Sequence, residues 1–321
     1  MTTSAAIDIG SNSVHLLVAQ IDAAGTLATL TDDSLQLGLG RVVQDQGRLG
    51  AAARRLALET VASFADRARE LGADTILLMG TQPLRRAADR SLLQRSIRQT
   101  VGLDLVVLSH DQEATLTLMG VSAGRTVDGV LLVMDVGGGS SEVILVSPGM
   151  APVVGAFPVG SARLSDVVVT HDPPTHAEIA ELQEQARALV RSLPPGSPVL
   201  GIVSGGSGTN ISRLLGRERT TRVTVDDLTT ALGLLESRPA AELALETGLT
   251  ERRVRQLAAG VSLVGALMDR YGLAVTEVSD AGLREGALLL GARFGADWKA
   301  DMRVAGTTGH DGAARNPPDG A

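Results

Sequence analysis

The chain has 321 residues, of which 44% are apolar, 20% charged and only 2% aromatic. That length is enough for about two domains with packed cores. The formal net charge is −7, from 29 basic and 36 acidic residues, which argues against nucleic-acid or anionic-membrane binding because both need surplus cationic surface. The absence of cysteine excludes disulfides and zinc–thiolate sites. The five histidines form no HExxH pair, so a metal site built from histidines is not expected.

The beginning of the chain lacks the basic and apolar regions of a signal peptide. No apolar run approaches the roughly 20 residues that a membrane span needs. We therefore expect a cytoplasmic protein that makes no membrane contact. The single lysine is Lys299, so the lysine of a P-loop is absent as well.

The predicted elements alternate between short apolar strands and helices rich in alanine, leucine and arginine, which indicates an α/β fold. In chain order the predicted strands are 5–9, 14–21, 75–79, 105–108, 129–134, 143–146, 199–203 and 274–279. The predicted helices are 51–71, 89–100, 111–121, 175–193, 225–236, 250–271 and 284–294, with Ser109 as the cap of the third. Residues 299–321 are rich in Gly, Pro, Asp and Thr without periodicity, and we predict a disordered tail there.

One pattern occurs twice, about one domain length apart. Residues 6–18 read AIDIGSNSVHLLV and residues 133–146 read VMDVGGGSSEVILV, so each has an apolar strand, an aspartate, a turn of small residues and a second strand. A third small-residue turn, residues 204–210, is expected to precede a helix. Glycines let backbone N–H groups converge on phosphate oxygens. One such turn is usually only a turn, but three in this arrangement predict two similar halves that bind phosphate in a shared cleft.

Residues 8–13, 135–142 and 204–209 resemble the signature of exopolyphosphatases and guanosine pentaphosphate phosphohydrolases, the Ppx/GppA phosphatase family. Further similar segments are 81–85, 113–114, 158–164 and 279–286, so the resemblance covers residues 5 to about 290. It implies two ribonuclease-H-like domains of the actin-like ATPase superfamily with a phosphate-binding cleft between them. The implied domains are 1–122 and 123–298, and the last helix, about 284–296, is expected to pack back on the first domain.

The resemblance also implies roles for single residues. Glu113 matches the family's catalytic glutamate, which would activate the water that attacks the terminal phosphorus. Asp135 and Glu142 match the acidic pair that holds a divalent cation, Mg²⁺ or Mn²⁺, and Asp8 is a further candidate for that metal site. Without the resemblance, Glu113 would be interpreted as a solvated helix residue.

The predicted phosphate-binding residues supply backbone amides, hydroxyls or a bidentate guanidinium. They are Gly10, Ser11, Asn12, Ser13, Arg85, Gly137, Gly138, Gly139, Ser140, Ser141, Gly205, Gly206, Ser207, Gly208 and Thr209. Arg163 is a weaker candidate. Arg252, Arg253 and Arg255 are expected to be solvated, with a polyanion path as the alternative.

Three segments depart from the family pattern. Residues 36–38 read Gln-Leu-Gly where the family usually carries an arginine, and Gln82-Pro83 replaces small residues. Residues 109–112 read Ser-His-Asp-Gln in place of a glycine- and glutamate-rich version. These departures leave the acidic pair and Glu113 intact. They are expected to affect which substrate is preferred and how fast it is hydrolysed.

The resemblance predicts an enzyme that hydrolyses terminal phosphoanhydride bonds, in the first place an exopolyphosphatase that releases orthophosphate from inorganic polyphosphate. Short chains are the expected substrates because the extra C-terminal domains of the family's long forms do not follow the predicted core. The alternatives are a guanosine pentaphosphate 5′-phosphohydrolase, a kinase or ATPase of the same superfamily, and a non-catalytic polyphosphate or alarmone sensor. The expected partner is a small polyanionic substrate, and a homodimer would fit the family.

Overall fold

A computed structural model describes residues 1–123, 125, 127–217, 222–295 and 298. The first sheet has five strands in the order β3-β2-β1-β4-β5. Strands β1 to β3 are antiparallel neighbours, and β4 and β5 continue the sheet in parallel with β1. The strands are β1 Thr2–Ile9, β2 Ser13–Ile21, β3 Leu27–Gln36, β4 Thr75–Gly80 and β5 Leu105–Val107. The helices of this part are α1 Leu39–Gln46, α2 Gly50–Glu70, α3 Gln82–Arg86, α4 Arg90–Val101 and α5 His110–Ser122.

The second sheet has six strands in the order β10-β11-β9-β6-β7-β8. Its strands are β6 Leu131–Val136, β7 Ser141–Val146, β8 Val153–Phe157, β9 Leu200–Ser204, β10 Arg222–Thr224 and β11 Val275–Val278. Its sequence region contributes the helices α6 Ser161–Val168, α7 His176–Val190, α8 Gly205–Leu214, α9 Val225–Ser237, α10 Ala240–Thr247, α11 Glu251–Arg270 and α12 Leu283–Phe294. Both sheets contain an antiparallel meander followed by a parallel strand beside its first strand, so the repeated sequence pattern corresponds to a repeated topology.

The central strands are apolar because both of their faces are covered. In β1, residues 4–7 are buried without interruption, and residues 131–134 of β6 are buried in the same way. Strand β3 is different, since most of its residues are exposed. Its polar sequence therefore gives no apolar signal, which is why strand prediction missed it.

Helix α12 follows the last strand of the second sheet but packs against the first. Leu288 shares a hydrophobic cluster with Leu17 of β2 and Met79 of β4. The helix also approaches α5 closely, because a Cβ on Gly120 would clash with the carbonyl of Gly282 and one on Gly286 with a carbonyl of α5. This packing ties the end of the chain to the helix that carries Glu113.

Most of the predicted strands and helices match observed elements within a few residues. Besides β3, the elements that were not predicted are β8, β10 and the helices α1, α3, α6 and α10. The predicted third turn is also corrected, because its residues from Gly205 onward already form the first turns of α8. The predicted tail, 299–321, lies outside the described residues, and the two domain boundaries remain predictions. Within the described part, no helix has the length and apolar character of a membrane span.

Candidate active site

Four carboxylates from both sheets and one helix lie close enough to influence one another. Asp8 is near the end of β1, Asp135 near the end of β6, Glu142 near the start of β7 and Glu113 in the first turn of α5. Asp135 and Glu142 are direct cross-strand partners, so their side chains leave the sheet on the same face. The residues predicted for catalysis and metal binding are therefore gathered in one region.

Helix α5 positions Glu113 through its first turn. The hydroxyl of Ser109 accepts from the backbone of Gln112 while the Gln112 side chain accepts from the Ser109 backbone, a complete capping box. Ser109 is the cap that the sequence predicts. The cap fixes where the helix begins, and Glu113 is consequently only 9% exposed.

Arg85 links the acidic groups to the second glycine turn. Its Nη1 donates to Oε2 of Glu113 at 2.5 Å and to the carbonyl of Leu108 at 3.0 Å. Its Nη2 lies 3.4 Å from Oγ of Ser140 and 3.8 Å from Oε1 of Glu142. Arg85 was predicted to bind phosphate, and its guanidinium lies between the second glycine turn and the carboxylates of Glu113 and Glu142.

The acidic groups are held in a state that resists ionisation. Burial raises the pKa of Glu113 to about 8, with Glu142 adding to the shift and Arg85 opposing it. Burial, and then Asp135, raises the pKa of Glu142 to about 8. Burial, and then Glu113, raises the pKa of Asp8 to about 7, and burial also raises the pKa of Asp135. At neutral pH such a cluster retains protons or takes up a cation.

The donor set fits a divalent cation. Ligand atoms of His110, Glu113 and Glu142 all lie within 4.8 Å of one another. Oδ1 of Asp8 is buried without a hydrogen-bond partner among the described residues, which is unusual for a carboxylate. Oxygen-rich sites of this kind suit hard cations such as Mg²⁺. Only Glu142 is shared between this group and the predicted metal ligands Asp8, Asp135 and Glu142.

The two glycine turns of the repeated pattern meet face to face. A Cβ on Gly139 would clash with Oγ of Ser11, and one on Gly138 would lie 2.6 Å from Nδ2 of Asn12. A side chain at either position would displace Ser11 or Asn12, so the two glycines allow this close approach of the turns. Ser11 donates to Oε1 of Gln82 at 3.0 Å, so the Gln82-Pro83 departure supplies a partner for the first turn. The structure thus brings together the predicted phosphate-binding turns 10–13 and 137–140.

Asn12 fastens the first turn to a helix of the second part. Its Nδ2 donates to Oε1 of Gln256 on α11 at 3.0 Å. Asn12 lies on the turn between β1 and β2, whereas α11 belongs to the core of the second sheet. The hydrogen bond therefore connects the two halves beside the predicted phosphate-binding turns.

Two other predicted phosphate-binding hydroxyls differ in their surroundings. Ser141 donates to the carbonyl of Val159 at 3.0 Å, and it alternates with Glu142 on β7, so it faces the opposite side of the sheet. Oγ of Ser13 is buried and has no partner within the described part of the chain. Ser141 is therefore not a free donor on the face of Glu142, whereas the role of Ser13 remains a prediction.

The residues 205–209 reach the site only at their first position. Gly205 has φ +82°, and a Cβ there would lie 2.6 Å from Oδ1 of Asp135, so it allows α8 to begin against that carboxylate. Ser207 packs toward Gly260 of α11, and Gly208 packs against Val203. Thr209 donates to the carbonyl of Gly206 within the helix. Gly206 lies in the first turn of α8, and the beginning of this helix faces Asp135.

His110 was not among the predicted site residues, and Arg252 was expected to be solvated, with a polyanion path as the alternative. His110 begins α5, and its Nδ1 lies 2.6 Å from Oε1 of Glu142. Its only sequence signal was the departure at residues 109–112. Arg252 is half-buried although solvation was expected, because its guanidinium lies against Gly38, where a Cβ would clash with it. Arginine is so abundant in the chain that no pattern distinguishes it.

A pocket opens beside the paired turns. Its lining combines Ser11, Asn12, Gly138 and Gly139 with three arginines, Arg41, Arg163 and Arg252, and one acidic residue, Asp166. The pocket therefore places cationic groups next to backbone and hydroxyl donors, as a polyanion requires.

Comparison with known proteins agrees with this site and fold. A sequence profile of the Ppx/GppA phosphatase family matches residues 17–292. The chain is 26% identical over 302 residues to exopolyphosphatase 1 of Mycobacterium tuberculosis, covering 88% of this chain and 86% of that protein. It is 26% identical over 301 residues to the guanosine-5′-triphosphate,3′-diphosphate pyrophosphatase of Aeromonas hydrophila, covering 91% of this chain and 60% of that protein.

Solved structures support the fold. An exopolyphosphatase from Cytophaga hutchinsonii superposes with a TM-score of 0.80 at 23% identity, covering 89% of this chain and 96% of that one. The Ppx/GppA family member from Aquifex aeolicus superposes with a TM-score of 0.79 at 23% identity, covering 91% of this chain and 98% of that one. The predicted α/β class is confirmed: the chain has two mixed sheets and shares its fold with these solved structures.

These findings define the class of protein as a phosphoanhydride hydrolase, which confirms the predicted enzyme class. Within that class, the chain belongs to the Ppx/GppA phosphatase family. The roles of single residues remain predictions.

Proposed function

We propose that the protein is a divalent-metal-dependent exopolyphosphatase that removes the terminal phosphate of inorganic polyphosphate, with short chains as preferred substrates. The observation that carries this proposal is the position of Glu113. It is a buried carboxylate with a raised pKa, bound by Arg85, beside two further acidic residues and the paired glycine turns.

Glu113 would act as the general base. The oxygen of a water attacks the terminal phosphorus while the bond from that phosphorus to the bridging oxygen breaks, and Glu113 takes a proton from the water. Orthophosphate leaves, and the chain shortened by one phosphate retains the bridging oxygen. The raised pKa of Glu113 makes it a stronger base than an ordinary glutamate once it is ionised, and the positive charge of a bound cation would favour the ionised form at neutral pH.

Asp135 and Glu142 would hold the divalent cation, with Asp8 at the edge of the same cluster. When bound, the cation would neutralise the charge that develops on the phosphate oxygens. The raised pKa values of these carboxylates support a cation site, because a positive charge among them removes the electrostatic cost of ionising them together. The turns 10–13 and 137–140 would supply donors to the phosphoryl group.

The charge around the pocket supports polyphosphate as the first candidate substrate. Three arginines line this narrow pocket next to the turns, and guanidinium groups bind phosphate oxygens. The relative from Mycobacterium tuberculosis named exopolyphosphatase 1 agrees with this choice. The Aeromonas relative, named for a guanosine derivative, keeps pentaphosphate as the second candidate.

The test is Mg²⁺-dependent phosphate release from tripolyphosphate, longer polyphosphate and guanosine pentaphosphate. We expect wild type to release phosphate from tripolyphosphate with the highest kcat/KM, and Glu113→Gln to lower kcat about 10²- to 10⁴-fold, the usual worth of a general base. Glu181→Gln is the control, because Glu181 is exposed on α7 and its loss removes the same charge.

Each alternative has its own result in this assay. A higher kcat/KM on guanosine pentaphosphate would identify the second candidate substrate. Binding of polyphosphate that raises the Tm without any phosphate release would identify a sensor. ATP-dependent phosphorylation of an added small molecule would identify a kinase.

A further inference from the structure

His110 stands against the acidic cluster although neither repeated turn contains it. Its Nδ1 lies 2.6 Å from Oε1 of Glu142 and 3.3 Å from Nη2 of Arg85. The side chain of Glu142 is 2% exposed and that of His110 is 35% exposed. The imidazole therefore forms the solvent-facing side of a site whose other side is a buried carboxylate.

The contact between Nδ1 of His110 and the carboxylate of Glu142 can be made in two ways. With its proton on Nδ1, a neutral imidazole donates to Oε1 of Glu142 at 2.6 Å; with its proton on Nε2, the ring presents a lone pair at Nδ1. In the second form the ring is a ligand for metal ions, and ligand atoms of Glu142 and Glu113 lie within 4.8 Å of it.

A second, independent observation points to a missing cation. Oδ1 of Asp8 is buried and finds no hydrogen-bond partner in the described part of the chain. Asp8 interacts electrostatically with Glu113 and Asp135, so it borders the same cluster. A buried carboxylate oxygen without a donor costs free energy that a nearby cation recovers.

We propose that His110 supplies a nitrogen ligand to the divalent cation at Glu142, and that this ligand makes the site prefer Mn²⁺ over Mg²⁺. The inference rests on the proposed function, since it concerns the metal of that site. Glu113, whose carboxylate is within 4.8 Å of both ligand atoms, then lies next to the cation as the base.

The preference follows from the chemistry of the ligands. Mg²⁺ takes oxygen ligands almost exclusively and gives up its waters reluctantly. Imidazole nitrogen suits transition metals, so replacing one oxygen ligand by a histidine shifts selectivity away from Mg²⁺.

The experiment measures metal binding directly on the full-length protein. Mn²⁺ affinity is obtained from the loss of the free-ion signal in electron paramagnetic resonance, and Mg²⁺ affinity from competition with Mn²⁺. Electron spin-echo envelope modulation of bound Mn²⁺ then reports whether an imidazole nitrogen is a ligand. The variants are His110→Asn, which keeps a polar side chain without the ring, and His171→Asn as the matched control.

His171 is a fair control because it also contacts a glutamate. Its Nδ1 lies 3.0 Å from Oε1 of Glu178, and its side chain is 64% exposed. We expect wild type and His171→Asn to bind Mn²⁺ at least about tenfold more tightly than Mg²⁺ and to show nitrogen modulation. His110→Asn should lose the modulation and about tenfold in Mn²⁺ affinity, with Mg²⁺ affinity changed much less.

Two results would overturn the inference. One is bound Mn²⁺ without nitrogen modulation in wild type. The other is an equal loss of Mn²⁺ and Mg²⁺ affinity in His110→Asn, which would make His110 only a hydrogen-bond partner of Glu142. If wild type still releases phosphate with Mg²⁺, the proposed function survives either result. Absence of both cation binding and phosphate release would instead remove the proposed function itself.

Discussion

The two hairpins of the repeated pattern, β1–β2 and β6–β7, have the same backbone topology but differ in the number of carboxylates they carry. In the first, Asp8 pairs across the strands with His15. In the second, Asp135 pairs with Glu142 at the equivalent position. One residue of the register therefore decides whether a hairpin presents one carboxylate or two.

The surroundings enlarge this difference. Burial, and then Arg284, lowers the pKa of His15 to about 4, so His15 stays neutral and does not compensate the charge of Asp8. Arg284, which forms an ion pair with Asp32, lies near Asp8 instead. Among the described residues, the carboxylate of Asp135 accepts a hydrogen bond from the hydroxyl of Thr117 at 3.0 Å and forms no ion pair. We infer that the second hairpin is the main cation holder and that the first contributes mainly its turn.

The largest expected effect comes from removing the second carboxylate of the second hairpin. Glu142→Gln should lower kcat/KM by about 100-fold or more and raise the Mg²⁺ concentration needed for half-maximal activity, because a metal ligand is lost. Asp8→Asn should lower kcat/KM about tenfold, which is equivalent to roughly 1.4 kcal/mol of transition-state stabilisation. Steady-state kinetics over a Mg²⁺ series measures both.

The two variants are matched, since each replaces an acidic side chain by its amide at the equivalent cross-strand pair of its hairpin. Circular dichroism and Tm check that both fold. An equal loss in the two variants, or a larger loss in Asp8→Asn, would contradict the asymmetry between the hairpins.

A smaller effect is expected where the turns of the two hairpins meet the pocket. Arg252→Gln should raise KM for tripolyphosphate about tenfold with little change in kcat, because a cationic contact to a non-reacting phosphate is lost. The measurement is kcat and KM for tripolyphosphate and pyrophosphate, and the increase should be smaller for pyrophosphate.

Arg255→Gln is the control for this variant. Arg255 lies on the same helix, is exposed and forms an ion pair with Asp172 at 2.8 Å, so its loss removes the same charge away from the pocket. If both variants raise KM equally, only the net charge of the protein matters, and Arg252 has no specific place in the substrate site.

The sequence was sufficient for the features that repeat or that bury apolar residues. Both hairpins, the α/β class and the residues of the acidic cluster follow from local patterns and from the resemblance. Strand β3 escaped prediction because it is an exposed strand without apolar alternation. Gly205 was assigned to a turn because small residues suggest turns, yet they also allow a helix to begin against a carboxylate.

The contacts made across the two halves were beyond sequence reasoning. Arg252 and Gly38 meet only because α11 and the end of β3 approach in space. His110 reaches Glu142 for a similar reason, since the start of α5 lies over β7. Such pairs depend on how the two sheets are arranged, and periodicity and spacing carry no information about that arrangement.

The smallest expected effect is a difference between the two hairpins in how they make the stability of the protein depend on pH. In the folded protein, the pKa values of Glu113 and Glu142 are raised to about 8 and the pKa of Asp8 is raised to about 7. The folded protein therefore binds more protons than the unfolded chain, and the free energy of unfolding falls as pH rises toward these values. Neutral His15, with its pKa lowered to about 4, acts in the opposite direction, but only below its ordinary value of about 6.5.

Between pH 7 and 8.5 the remaining slope should thus belong mainly to Glu113 and Glu142. Without divalent cations we expect the Tm to fall by at least about 1–2 °C over this range, the shift that roughly 1 kcal/mol gives in a protein of about 300 residues. Saturating Mg²⁺ should remove most of the fall, because it stabilises the ionised carboxylates. Glu142→Gln should flatten the metal-free curve, whereas Asp8→Asn should leave it steep. If Asp8→Asn flattens it instead, the proton is held by the first hairpin, and the assignment of the cation to the second is wrong.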